Sequence, residues 1–364
     1  MRLLVLALAL LLGGCSTMGF YWQAAEGHLS LMRAARPVDQ WLEDPATPQP
    51  IKDRLQLAQR IRSFASQQLH LPDNASYRSY ADLRRPAAVW TVVAAPQWSL
   101  QAKSWCFLVA GCVHYRGYFR AEAAEQAAKN LAATGLETAV LAVPAYSTLG
   151  LLNWAGGDPL LSTFLTHSEG DLARMIFHEL AHQVVYVAGD TAFNESFATA
   201  VERLGVAQWM LQASEPVRMA YQASEARRRQ WRALTLDLKH QLRLIYQSAA
   251  SSDSADKTAA ARAKQSALDE FAWRYQQSRQ AWGGFQGYDR WASQVNNAFL
   301  AAWSDYEDLA PAFETLFHQS GSWPRFYDQV KALSKRPKDE RLEHLRQMAA
   351  LSPDRSDRHS SAAK

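Results

Sequence analysis

Cysteine is scarce: three residues in a chain of 364. That excludes a small disulfide scaffold, in which cross-links stand in for a core. No charge of one sign dominates either. Lys and Arg total 39 against 35 Asp and Glu, a formal net charge of +4 spread along the chain. The electrostatic footprint of a nucleic-acid binder is missing, and no nucleic-acid partner is expected. Only 20% of residues are charged and 48% are hydrophobic, which excludes a mostly disordered chain. Beyond the first dozen residues no apolar run approaches the ~20 residues that span a bilayer as a helix. No internal repeat is visible. What is present is core-forming material, with a high aromatic load of 13 Trp, 13 Tyr and 14 Phe. At ~100–200 residues per domain, the length allows two or three domains or one large one.

The first segment sets an expected compartment. Met1-Arg2 is a short positive start, and Leu3 to Leu12 is an unbroken run of Leu, Val and Ala. It is too short to span and reads as the apolar part of a secretory signal. Small residues and then Cys15 follow at once, a pattern that resembles a bacterial lipobox. The resemblance implies a signal peptide over 1–14, removed before Cys15, and acyl chains on Cys15 that anchor the protein to a membrane. Ser16 after the cysteine implies the periplasmic side of the outer membrane. Residues 15–27 are then a tether. The other two cysteines suit an oxidising compartment. Cys106 and Cys112 flank Val109-Ala110-Gly111 between apolar and aromatic runs, the pattern of a β-hairpin closed by a disulfide.

Periodicity divides the remainder. His28 to Asp44 and Ile51 to His70 carry helical stripes, with Pro37 at a break in the first. Val89–Val93, Trp98–Leu108 and Cys112–Phe119 predict three strands. Ala121–Ala133 predicts a helix stopped by Gly135, and Leu136–Val143 a further strand. Residues 85–150 thus predict a small sheet with a crossover helix. From Asp158 on, the pattern is almost wholly helical. Val217–Ala249 and Ala255–Trp282 predict a long αα-hairpin around Ser251–Ser254, followed by helices over Trp291–Ala302 and Leu309–His318. The predicted fold is α+β and predominantly helical, and with the H-E-x-x-H motif at 178–182 it resembles a zincin-like arrangement. An N-terminal helical and β-sheet region (28–150) precedes a helical region that carries the chemistry (151–350) and a disordered tail (351–364).

That chemistry lies at 171–202. Asp171 to Tyr186 is a helical stretch containing H-E-x-x-H. Residues i and i+4 share a helix face, so His178 and His182 project together, as two imidazoles on one tetrahedral zinc must. Glu179, one position on, is placed to act as general base on a zinc-activated water. The flanks (Met175, Ile176, Phe177, Leu180, Ala181) are apolar, and a polar triplet in a buried helix must be paired or metal-bound. A catalytic zinc needs three protein ligands. Gly189-Asp190 is expected to end this helix, Asn194 to cap the next, and Glu195 to lie in its first turn. An antiparallel helix pair would return Glu195 to the metal. H-E-x-x-H followed by N-E resembles the gluzincin zinc peptidases, whose third ligand is that glutamate. Thr199 and Glu202 share the helical face of Glu195 and are candidates to hydrogen-bond a zinc-bound histidine, with Asp190 a weaker one. An oxyanion donor is also needed; Tyr288, Tyr306 and His318 are candidates, and Tyr306 is the most site-like. Tyr146 and Ser147, between a predicted strand and the metal helix, are candidates to bind substrate.

Taken together, W-C-F-L-V-A-G-C-V-H-Y-R-G-Y-F, A-Y-S-T-L-G, F-H-E-L-A-H-Q and F-N-E-S-F-A-T behind a lipobox resemble the proteobacterial putative aminopeptidase lipoproteins over most of the chain. The resemblance implies a membrane-anchored zinc aminopeptidase acting on peptide substrates. The G-x-M-E-N type motif that holds a substrate's free amine in well-known gluzincin aminopeptidases is missing. A zinc endopeptidase or amidase acting on envelope proteins or peptidoglycan peptides therefore remains open, as does a non-catalytic zinc-binding lipoprotein.

Overall fold

A computed structural model describes residues 19–20, 22–107, 111–148, 156–250, 254–302 and 309–350. The expected leader, Cys15, Tyr306 and the expected tail lie outside the described residues. Residues 22–34 form helix α1, so helix begins inside the segment read as a tether. The Gln23 amide explains the docking: it donates to the carbonyl of Gly117 and accepts from the N–H of Phe119. The helix expected from His28 to Asp44 is interrupted by strand β1 (Ala35–Pro37) before α2 (Val38–Glu43). Pro37 lacks the N–H that a helix interior requires, and β1 pairs antiparallel with β2 (Ser79–Ala81). Between them, α3 (Gln49–Gln67) starts with Pro in its first turn and buries Leu55, Ala58, Ile61 and Ala65 completely, a 3–4 spacing along one face.

The second sheet is built on β3 (Val89–Pro96). The stretch expected as one strand from Trp98 onward yields only β4 (Trp105–Phe107), which pairs with β5 (Gly111–Val113) in a separate two-stranded ribbon. Cys106 faces Cys112 there, and the two form a disulfide with S–S 1.98 Å. A bend then separates β5 from β6 (Arg116–Tyr118), which joins β3. α4 (Ala121–Ala132) crosses over β3 to β7 (Leu136–Val143), giving the order β6-β3-β7. The alternation of β3 decides the layers. Trp90 and Val92 pack on α4, while Val93 and Ala95 point the other way. β8 (Leu160–Leu161) pairs parallel with β2, and α5 (Ser162–Leu165) follows.

The helical body starts with α6 (Glu169–His182) and α7 (Thr191–Met210). They run antiparallel, since Trp209 at the end of α7 donates to Glu169 at the start of α6. Next come α8 (Glu215–Ala250) and α9 (Ser254–Ala281), the long hairpin, whose seam buries Trp231, Leu234, Leu238, Phe271 and Tyr275. The helix expected over Trp291–Ala302 is two: α10 (Asp289–Ala292) and α11 (Asn297–Ala302). Asn296 breaks it by capping α11 through the Phe299 N–H at 2.9 Å. Fully buried Asn297 is a structural clamp: its amide donates to the carbonyls of Pro96 and Gln97 and accepts from the Tyr246 hydroxyl. α11 thereby closes the second face of the sheet against Val93 and Ala95. α12 (Ala310–Ser320), α13 (Trp323–Ser334) and α14 (Lys338–Ala350) complete the chain. The main core joins α3, α6, α7 and these last three helices, with Phe177, Phe197, Phe313 and Phe326 fully buried within it. The chain is predominantly helical with small sheets, and α6 is held between core and hairpin.

Candidate metal centre

α6 begins at Ser168, whose hydroxyl accepts from the Asp171 N–H. It ends at His182, earlier than its sequence suggests, because Gln183 and Val184 turn away from the axis. The connecting segment is fixed by α7. Asn194 is not the cap of that helix: its side chain accepts from the Val187 N–H and donates to the Val187 carbonyl, both at 2.8 Å. Asp190 is the N-cap, accepting from the Phe193 N–H, and Arg341 holds it from below at 2.7 Å. Glu195 accordingly sits in the second turn of α7 rather than the first, past the reach of a helix-dipole role.

His178, His182 and Glu195 converge, with one ligand atom from each lying within 4.8 Å of the others. The two Nε2 atoms are 3.2 Å apart, and the His178 Nε2 is 3.2 Å from Glu195 Oε2. Two imidazole nitrogens and a carboxylate oxygen aimed at one point make a donor set able to hold a cation. An N,N,O set with His at i and i+4 fits zinc better than calcium or magnesium, which prefer all-oxygen shells. The residues fit the metal that the sequence implied.

The surroundings orient the donors. Glu202 Oε2 lies 3.1 Å from His178 Nδ1, so it can accept that proton and leave Nε2 for a metal. Glu202 is itself braced by Arg174, whose Nε donates at 2.6 Å. Arg174 also meets Glu225 of α8, and Arg228 of α8 pairs with Glu225 and Asp171. Burial would raise the Glu202 carboxyl, but Arg174 and His178 outweigh it and hold it at about 2. The sign follows: the folded state binds this proton more weakly than the unfolded chain, so the stabilisation is intact above about 4.5 and is lost as pH falls toward about 2. Thermal melts of the metal-free protein should therefore drop steeply below pH 4.5, and Glu202→Gln should flatten that limb. A limb unchanged in the variant would assign it to other carboxylates.

Glu179 stands beside the cluster on the same helix. Burial first, then the charges of Glu195 and Asp158, push its carboxyl up to about 7 against the opposing pull of His178 and a Ser147 hydrogen bond. Burial, and then the charge of His178, push His182 down to about 4, whereas Glu195 and Glu202 outweigh burial at His178 and push it well up. Ser147 also hydrogen-bonds Asp158 at 3.1 Å, and Thr148 gives that carboxylate its N–H and its hydroxyl. Asp158 is 1% exposed, and burial raises its carboxyl. Segment 145–148, which follows β7, is thus tied to Glu179 and Asp158.

Family membership follows from most of the chain. Residues 19–345 match the model of the family described as Putative aminopeptidase. The chain belongs to that family. No curated protein and no solved structure matches it.

Against this geometry the remaining site residues sort as follows. Ser147 reaches the site, but through Glu179 and Asp158. Tyr146 turns inward, its ring packed against Phe119 and His28, instead of forming an open wall. Thr199 is buried on α7 and makes no hydrogen bond to either histidine among the described residues. Asp190 serves α7 and Arg341 rather than an imidazole. Four residues were missed. Arg174 and Asp158 carry no motif. Tyr77 is a fully buried phenol behind Glu179, with left-handed backbone (φ 64) and a hydroxyl that has no partner among the described residues. Tyr186 lies four residues past His182, with its ring 6.5 Å from the imidazole. The only available signal was that two of the four are tyrosines close to turns.

Proposed function

We propose that this chain is a zinc metallopeptidase, acting as an aminopeptidase on peptide substrates. The observation that carries the reading is the convergence of His178, His182 and Glu195, with Glu179 one residue along the same helix and its proton affinity near neutral. Zinc held by the three ligands supplies a Lewis acid that activates water and polarises a peptide carbonyl. The protein's own residues do the rest. Glu179 takes a proton on its carboxylate during attack and returns it to the departing amine. Ser147 and Asp158 fix the direction of that carboxylate, and Glu202 with Arg174 fixes the His178 ring. α3, α6 and α7 pack together in the core that carries these residues.

Family membership supports the aminopeptidase form. Residues 1–16 support a lipid anchor at Cys15 on the periplasmic face of the outer membrane, with envelope or imported peptides as substrates. A protein loaded with zinc should release the N-terminal residue from free peptides and not from N-acetylated copies. Chelation should abolish release, and zinc should restore it. Equal cleavage of acetylated peptides would favour the endopeptidase reading, and no cleavage by a zinc-replete sample would remove the enzyme reading.

A further inference from the structure

A carbonyl under attack gains negative charge on its oxygen, and a fixed donor on the substrate side stabilises that charge strongly. Such a donor must be near the metal ligands, partly open to solvent, held in place, and not already spent on a protein acceptor. The tyrosines around the cluster separate on these criteria. Tyr77 and Tyr146 are turned into the core. Tyr221 and Tyr288 are near the cations Arg174 and Arg228.

Tyr186 meets all four. Its ring stands edge-on to His182, 6.5 Å away at 79°. It is 52% exposed, in contrast to the buried histidine beside it. Its hydroxyl has no hydrogen-bond partner among the described residues. Its backbone lies between the end of α6 and the Val187 peptide groups gripped by Asn194. Asn194 and Glu195 are neighbours on α7, so one turn of that helix sets both the third ligand and the place of this phenol. The fixing is local and is complete before any substrate arrives, as preorganised stabilisation requires.

We infer that Tyr186 is a catalytic residue whose phenol donates a hydrogen bond to the carbonyl oxygen of the scissile peptide bond as negative charge builds on it. The phenol keeps its proton throughout; the bond made and broken is a hydrogen bond, and proton transfer to the amine stays with Glu179. This rests on the peptidase reading. The test compares wild type, Tyr186→Phe and Glu179→Gln for peptide kinetics, zinc content, and affinity for a phosphonate peptide that mimics the tetrahedral state. Tyr186→Phe should lower kcat by roughly 10²-fold with KM changed little, lose a similar factor in phosphonate affinity, and keep full zinc. A kcat within twofold of wild type, or unaltered phosphonate affinity, would overturn the assignment; if Glu179→Gln is inactive in the same experiment, the peptidase reading survives it. If wild type cleaves no peptide and binds no phosphonate, both fall together.

Discussion

Glu179→Gln should lower kcat for peptide cleavage by about 10²–10⁴-fold, the range for loss of a positioned proton acceptor. The substitution keeps the shape of the side chain and removes only its ability to take and return a proton. Zinc content should be unchanged, because the ligand atoms belong to His178, His182 and Glu195. Stability should hold or rise, because the variant removes a buried charge from beside Glu195 and Asp158, both of which act against it. Kinetics, metal analysis and a thermal melt on one preparation separate this outcome from its rivals. Loss of activity together with zinc would make Glu179 a ligand or a folding residue. Unchanged activity would mean that Glu179 is not the group that takes the proton.

Arg341→Met should cost about 3–5 kcal/mol of stability, the usual penalty for leaving a buried charge without its partner. Arg341 and Asp190 are each 8% exposed at the side chain, and both Nε and Nη2 of the arginine donate to one Asp190 oxygen. The guanidinium also reaches the carbonyls of Ser334 and Arg336, so it ties α13 and α14 to the start of α7. Removing Asp190 as well should recover part of the loss, since the orphaned carboxylate is then gone. A denaturant titration of the two single variants and the double variant measures the coupling. Additive costs would mean that the pair contributes no more than its separate packing. Because Asp190 caps the helix that carries Glu195, zinc affinity should weaken along with the fold.

Much of the architecture was legible in the sequence because its signals are periodic. The stripes of α3, α8 and α9 and the crossover from β6 through α4 to β7 need only local patterning. H-E-x-x-H was legible for the same reason, as a spacing on one helix. What escaped depends on side chains reaching across sequence. Asn194 looked like a cap, and only the return of Val187 to meet it reveals a staple. Asn296 and Asn297 fall inside the helix predicted over Trp291–Ala302, yet one caps a new helix and the other fastens it to a sheet. Trp98 onward reads as strand from its apolar residues, but β3 has only two sides, and β6 and β7 occupy them. Glu202 was within reach by its position on the α7 face. Arg174 was not, since nothing in its own surroundings marks it as the partner of a carboxylate 28 residues on.

The hairpin of α8 and α9 looks like an ornament fastened to the helices that carry the candidate site. The sequence of charges leading away from His178 says otherwise: Glu202 negative, Arg174 positive, Glu225 negative, Arg228 positive, Asp171 negative. Each link is neutralised by the next, and the third and fourth come from the hairpin. Trimming the hairpin would leave Arg174 with less than its complement of negative charge directly under the residue that steers His178. Keeping that row of charges behind His178 therefore requires α8, although it supplies none of the three converging donors.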